Sequence, residues 1–210
     1  MEGWGHNATS GCVLCGRNKA SYRCQDCFTG RLLCQLCMLK HHQEDLLHVI
    51  KVFHLFQPCL LRNSRDMSYQ VWTTTHFQKT SLSALRLQFQ LGHPHNTPCV
   101  FQQQAHKYFV VIHNNGFHSV NLYYCNCQPG YAIHQQLLDN AWFLSTPLEP
   151  RTCGTFAVLH HFHTLNLQVN TTSYDLYTVL TLLTVRATPK PASSMAHSTV
   201  TRALALWAHT

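Results

Sequence analysis

The sequence predicts a small zinc-stabilised α+β fold, with a cross-braced metal module, then a β-hairpin-rich region, then C-terminal helices. Three observations carry that reading. From Cys12 to His48, three C-x2-C pairs lead into a histidine block, spaced C-x2-C-x8-C-x2-C-x6-C-x2-C-x4-H-x5-H. Between residues 69 and 127, aromatic and β-branched runs alternate with Gly- and Asn-containing turns, the pattern of short strands. From Phe156 onward, apolar residues recur at three-and-four spacing, which suits a helix face.

Composition narrows the class. A chain of 210 residues holds one or two domains, and 45% hydrophobic against 11% charged residues argues against wholesale disorder. No apolar run reaches the roughly 18 residues of a membrane span. The start, MEGWGHNATSGC, lacks the basic and apolar regions of a secretion signal. Asn7-Ala8-Thr9 is accordingly not read as a glycosylation site. An intracellular, reducing setting follows, in which clustered C-x2-C pairs mean metal rather than disulfide. The +7 formal charge is unevenly spread, with 8 Lys/Arg against 4 Asp/Glu in residues 1–65, 3 against 3 in residues 66–150 and 4 against 1 in residues 151–210. Thiolates bound to zinc would reduce the excess of four in the first region to about two. The charge permits contact with DNA without requiring it.

Residues 1–11 read as a lead segment. Residues 12–50 form the first module, too poor in apolar residues for a conventional core, so metal must supply folding energy. A C-x2-C turn lets two thiolates reach one tetrahedral ion, and a structural zinc needs two such half-sites. Adjacent pairs are too close to wrap one ion comfortably, whereas alternate pairs return naturally. That assigns Cys12, Cys15, Cys34 and Cys37 to one zinc and Cys24, Cys27, His42 and His48 to a second. His41 is the alternative to His42. This pairing resembles B-box zinc domains, with Arg31-Leu32-Leu33-Cys34 as the strand entering the third pair and a short helix over Cys37–His42. Cys24-Gln25-Asp26-Cys27 alone would suit a redox pair, but three pairs followed by histidines do not fit the strand–CxxC–helix setting of that chemistry.

The second region, residues 69–185, follows an apolar stretch (51–61, with Cys59 as a buried small residue) and a polar linker (62–68). Strands are expected at 69–77, at Arg86–Leu91, at Lys107–Ile112 and along 117–124, with a capped turn at Thr80–Leu85. His113-Asn114-Asn115-Gly116 is the best hairpin turn in the chain, Asn-Gly suiting positive φ. Loop LGHPHNTPCV carries His93, His95 and Cys99, and the returning strand delivers Cys125-Asn126-Cys127. His93, Cys99, Cys125 and Cys127 make a possible third zinc site, the alternative being a buried cysteine cluster without metal. His118 reads as a surface or cross-strand residue. Helices are expected at 134–144, at Phe156–Leu167 and from Ser173 to Leu183, with 148–155 turn-like and Cys153 solitary. His160 and His161, one apart, face different ways on a helix, so no joint site of His160, His161 and His163 is expected. Residues 186–210 read as a loose tail, and the want of a closing element suits a truncated or degenerate gene product.

Four blocks then recur in a family's order: SYRCQDCFTGRLLCQLCMLKHHQEDLLHVIKVF, LGHPHNTPC, VVIHNNGFHSVNLYYCNC and LLDNAWFLSTPLEPRTCGTF. From Ser21 to about Leu180 the chain resembles the CxC2-like cysteine cluster associated with KDZ transposases, known mainly from fungal mobile elements. The resemblance implies ligand roles for His42, His48, His93, Cys99, Cys125 and Cys127. Cys12 and Cys15 lie at its margin and rest on spacing. In full-length relatives the cluster precedes a larger transposase domain working by metal-dependent phosphodiester chemistry, and that portion is missing here. The eight carboxylates sit mostly in zinc loops, linkers or turns, whereas two-metal chemistry needs them convergent. No enzyme activity is therefore expected. The leading function is a zinc-stabilised accessory module that engages element DNA, with a nuclear location. Its rivals are a protein-interaction or self-association module, through the transposase or a second copy, and a remnant without function. A catalytic zinc would need an open coordination position, and four protein ligands at each N-terminal site leave none.

Overall fold

The computed structural model describes residues 11–55, 75–93, 97, 99–146 and 150–185. The expected lead (apart from Gly11), Asn7, Cys59, the 62–68 linker, the first part of the 69–77 strand, His95 and the 186–210 tail lie outside those residues. The fold is mixed α+β.

The first sheet comprises β1 (Tyr22–Cys24), β2 (Leu32–Leu33), β3 (Ile50–Leu55) and β4 (Thr75–Thr80), in the order β2-β1-β3-β4 and antiparallel throughout. Helix α1 (Gln35–His41) crosses from β2 towards the loop before β3. It begins two residues earlier than its sequence suggested, because the Met38 amide already bonds to the carbonyl of Cys34 at 2.9 Å. The core beneath this sheet packs Ala20, Leu33, Met38 and Ile50 with the buried cysteines Cys12, Cys24 and Cys34, and it extends to Phe53, Leu82 and Leu85. Cysteines thus stand where a larger protein would place aliphatic side chains.

Two further sheets follow. β5 (Gln88–Gln90), β9 (Asn121–Cys125) and β6 (Gln102–Gln104) form one, in the order β5-β9-β6. The other is built from β7 (Val110–His113), β8 (Gly116–Ser119), β10 (Trp142–Leu144) and β11 (Thr152–Thr155), ordered β10-β11-β7-β8. Each contains one parallel pair, β5 with β9 and β11 with β7. Between these sheets and α2 (Ile133–Asp139) lies a core of Leu91, Phe109, Val111, Leu122, Leu137, Trp142 and Cys153. Leu46, from the loop after α1, packs into it. Helices α3 (Phe156–Val169) and α4 (Ser173–Val185) cover the remaining face through Ile112, Val158, Leu159, Leu176 and Leu180. Thr155 caps α3, its hydroxyl accepting from the Val158 amide at 3.3 Å.

Several local readings change. The 134–144 helix ends at Asp139: Asn140 caps it, Ala141 turns left-handed at φ 57°, and Trp142–Leu144 runs back as a strand against β11. Residues 152–155, read as turn, form β11, which pairs with the nearby β10 and with β7, a strand distant in sequence. The strand expected along 117–124 breaks at Val120 and serves two sheets, as β8 and then β9. Arg86, at φ 69°, shortens the Arg86–Leu91 strand to Gln88–Gln90. The β7–β8 hairpin turns through Asn114 and Asn115, and positive φ (134°) falls on Gly116.

Candidate metal centres

Three sets of four side chains come together, each with its ligand atoms within 4.8 Å of one another: Cys12, Cys15, Cys34 and Cys37; Cys24, Cys27, His42 and His48; His93, Cys99, Cys125 and Cys127. A tetrahedral zinc with Zn–S near 2.3 Å sets its sulfurs about 3.8 Å apart, and a sulfur and an imidazole nitrogen about 3.6 Å apart. Those edges serve as the ruler for each set.

The first set joins the first and third pairs. Its turn is closed by the Cys12 amide donating to the Asn18 carbonyl at 2.8 Å and the Gly16 amide donating to the Cys12 carbonyl at 2.7 Å. Gly16 sits at φ 66°, and a β-carbon on Gly11 would meet the Gly16 carbonyl oxygen at 2.7 Å, so the turn requires both glycines. Cys15 Sγ lies 3.8 Å from Cys34 Sγ. Burial opposes ionisation of Cys12, but hydrogen bonds from the backbone of Cys34, Cys15 and Leu14 outweigh it and bring the thiol down to about 6. Cys37 is pushed up to about 12, first by its hydrogen bond with Cys34 and then by burial. Four thiols sharing one site cannot all ionise alone, and a bound cation removes that conflict.

The second set joins the middle pair to two histidines. Cys27 Sγ is 3.3 Å from His42 Nε2 and 3.6 Å from His48 Nδ1, and Cys24 Sγ is 3.5 Å from His48 Nδ1. Within the C-x2-C turn the Cys27 amide donates to Cys24 Sγ at 3.3 Å. His42 is fully buried, and its Nδ1–H donates to the Met38 carbonyl at 2.9 Å, which aims the Nε2 lone pair at the thiolates. Burial lowers the His42 pKa, keeping the ring neutral as a ligand must be. His41 is exposed on α1, its ring edge-on to His42 at 5.3 Å, and stands outside the set. His48 presents Nδ1 inward, while its Nε2 lies 4.0 Å from an Asp45 carboxylate oxygen.

The third set is assembled from two loops and a strand end. His93 Nε2 is 3.0 Å from Cys125 Sγ, and Cys99 Sγ lies 3.7 Å from Cys125 Sγ and 3.1 Å from Cys127 Sγ. Two supports went unread in the sequence. Gln136, fully buried on α2, clamps the strand end: its Oε1 accepts from the Cys125 amide at 2.8 Å and its Nε2 donates to the Cys125 carbonyl at 2.7 Å. Gly92 holds φ 75°, and a β-carbon there would lie 2.8 Å from that of Cys125. The glycine of the Leu-Gly-His triplet was the available signal, since only glycine tolerates both the conformation and the approach. Gln90 Oε1 accepts from the Cys99 amide at 3.0 Å. Burial opposes ionisation of Cys99, but hydrogen bonds from Cys127 and Cys125 bring it down to about 7.

Other candidates separate from these centres. Cys153 is wholly buried and its thiol is pushed well up by burial. His160, His161 and His163 join no ligand set among the described residues. His118 is largely buried, its Nε2 2.6 Å from Asn115 Oδ1, and burial lowers it to about 4. At the same hairpin tip, Asn115 Nδ2 donates to Asp26 Oδ2 at 3.3 Å and to the Leu47 carbonyl at 3.0 Å, tying the second region to the loops of the second set.

Comparison with known proteins adds a family. The model described as CxC2 like cysteine cluster associated with KDZ transposases matches residues 82–188, just over half the chain. The match takes in the whole third set and α2, α3 and α4, and it begins after the first two sets. No curated protein and no solved structure matches the chain.

Proposed function

We propose that this chain, which belongs to the CxC2-like cysteine cluster family associated with KDZ transposases, is a three-zinc accessory scaffold that engages duplex DNA. The family is a non-catalytic cysteine-cluster module. The observation that carries the zinc reading is the three four-ligand sets. Four protein ligands make a closed, structural centre, with no position left for a reacting water. In this reading the first two zincs interleave as a cross-brace over residues 12–50, and the third holds the 69–185 region together. Carboxylate placement agrees with a non-catalytic role. Asp26 accepts from the Val49 amide at 2.6 Å, Asp139 from the Tyr131 hydroxyl at 2.6 Å, and Asp175 from the Thr172 amide at 2.9 Å, each serving local structure.

Three divalent ions and nine thiolates would lower the formal +7 to about +4, which leaves a positive chain to meet a polyanion. Association with a transposable element makes element DNA the natural polyanion and the nucleus the natural location. Among the described residues no helix is long and apolar enough to cross a membrane. A second reading, docking of the transposase or another copy of the chain, is favoured by Val13, Leu14, Phe28 and Leu36, large apolar residues exposed around the knuckles of the first module. Titrating the zinc-loaded chain onto labelled duplex DNA across a salt series separates the two. The DNA reading expects affinity that falls steeply with salt. Absence of binding at low salt, with concentration-dependent self-association instead, would transfer the function to the apolar patch.

A further inference from the structure

The loop that completes the second ligand set is held by both regions of the chain. Its ligands His42 and His48 bracket residues 43–47, and that loop reaches out of the first module. Leu46 is buried in the core of the other two sheets, with Leu47 packed against it. The loop backbone is held from the same region. At the tip of the β7–β8 hairpin, Asn115 Nδ2 donates to the Leu47 carbonyl at 3.0 Å and to Asp26 Oδ2 at 3.3 Å. Asp26 stands between the ligands Cys24 and Cys27, and its Oδ2 also accepts from the Val49 amide, next to His48, at 2.6 Å. One side chain therefore bridges the thiolate turn and the histidine loop, the two halves that must stay together around one ion.

Asn115 is itself fixed. With both amide hydrogens donated, its Oδ1 accepts from His118 Nε2 at 2.6 Å, which sets the amide the right way round. Behind the tip, the Phe117 amide donates to Thr184 Oγ1 of α4 at 2.9 Å, and a β-carbon on Gly116 would meet that same oxygen at 2.7 Å. Asn115 lies within the family-matched stretch 82–188, whereas the four ligands it serves lie outside it.

We propose that Asn115 is a positioning residue for the second zinc, and that this ion fastens the first module to the second region. The inference rests on the zinc reading above. Groups that hold metal ligands in place are worth about ten- to a hundredfold in metal affinity. Linkage makes the effect reciprocal, so that binding of the ion and seating of the hairpin strengthen each other.

The experiment takes the full zinc-loaded chain through an EDTA titration, counts ions by native mass spectrometry, and uses alkylation of Cys24 and Cys27 to mark departure of the second ion. Asn115→Ala should weaken that ion by about ten- to a hundredfold, with the other two leaving as in the wild type. Asn115→Asp should do no better, because it cannot donate and sets a carboxylate against Asp26. A residue that merely shaped the turn would tolerate that change, since Asp-Gly turns as well as Asn-Gly. Asn114→Ala, at the exposed neighbouring turn position, is the control expected to change nothing. Hydrogen exchange gives the reciprocal reading: His42→Ala, lacking the second ion, should speed exchange across residues 113–119 and leave α2 as in the wild type. Wild-type retention of the second ion in Asn115→Ala or Asn115→Asp, an equal loss in Asn114→Ala, or unchanged hairpin exchange in His42→Ala would overturn the proposal and leave the zinc reading standing. A wild-type chain with no ion on the second set would remove both.

Discussion

Gly92→Ala tests the third centre without touching a ligand. Gly92 sits at φ 75°, and an L residue there costs about 1–2 kcal/mol. The added methyl would lie 2.8 Å from the Cys125 β-carbon and 3.1 Å from both Gln136 Oε1 and Tyr131 Cε1. Cys125 cannot give way freely, because Gln136 holds both its amide and its carbonyl. Forcing the overlap adds about 1–3 kcal/mol. The total of about 2–5 kcal/mol falls on the arrangement that binds the third ion, and so weakens it by about thirty- to several-thousandfold. Chelator titration with a chromogenic competitor, alongside native mass spectrometry, reads this directly. One ion should leave early while two leave as in the wild type. An unaltered three-ion profile would refute the reasoning. Loss of all three together would refute it too, since the first two sets belong to another sheet.

Three further outcomes follow from individual side chains. His42→Ala should abolish the second zinc and cost several kcal/mol, since a buried site loses a ligand, whereas His41→Ala should leave zinc count and stability within about 0.5 kcal/mol, as exposed positions usually do. Tyr124→Phe should hold or raise denaturant stability by up to about 1 kcal/mol, because the Tyr124 hydroxyl is buried with no hydrogen-bond partner among the described residues; a loss above 1 kcal/mol would expose a bond not accounted for. Burial lowers His118 from 6.5 to about 4, so the unfolded chain takes up that proton first. Its contribution is complete above pH 6.5 and drains as pH falls towards 4, at most roughly 3 kcal/mol. Imidazole NMR should find His118 neutral at pH 5, and protonation near pH 6.5 would contradict its burial.

What could be read from sequence was whatever short spacing controls. C-x2-C turns and the alternation of pairs lie within a few dozen residues and suggested the first two groupings, while the third was suggested by the Leu-Gly-His loop with Cys99 and by Cys125-x-Cys127; the structure brings each of these sets together. Helices α3 and α4 were legible for the same reason, the Phe156–Leu167 periodicity and the Ser173-Tyr174-Asp175 start being local signals. Non-local pairing was not legible. Residues 152–155 look like a turn because Cys153-Gly154 carries little strand propensity, yet β7 and β10 on either side recruit them. Gln102–Gln104 drew no strand reading, being polar and exposed, and it forms β6 only because the edge of β9 is there to pair with. At Trp142 the local helical pattern lost to a left-handed Ala141 and a buried indole. Gln136 was hidden for a related reason, since a glutamine in a helix looks like surface until the strand end it clamps is known.

The most direct test of the whole account is the metal count. Native mass spectrometry of the full chain, purified under reducing conditions with zinc present, should give three zinc ions per chain, and denaturation in acid should release all three. Two ions or fewer in the folded chain would contradict the assignment, and the missing centre could be identified by which cysteines become open to alkylation.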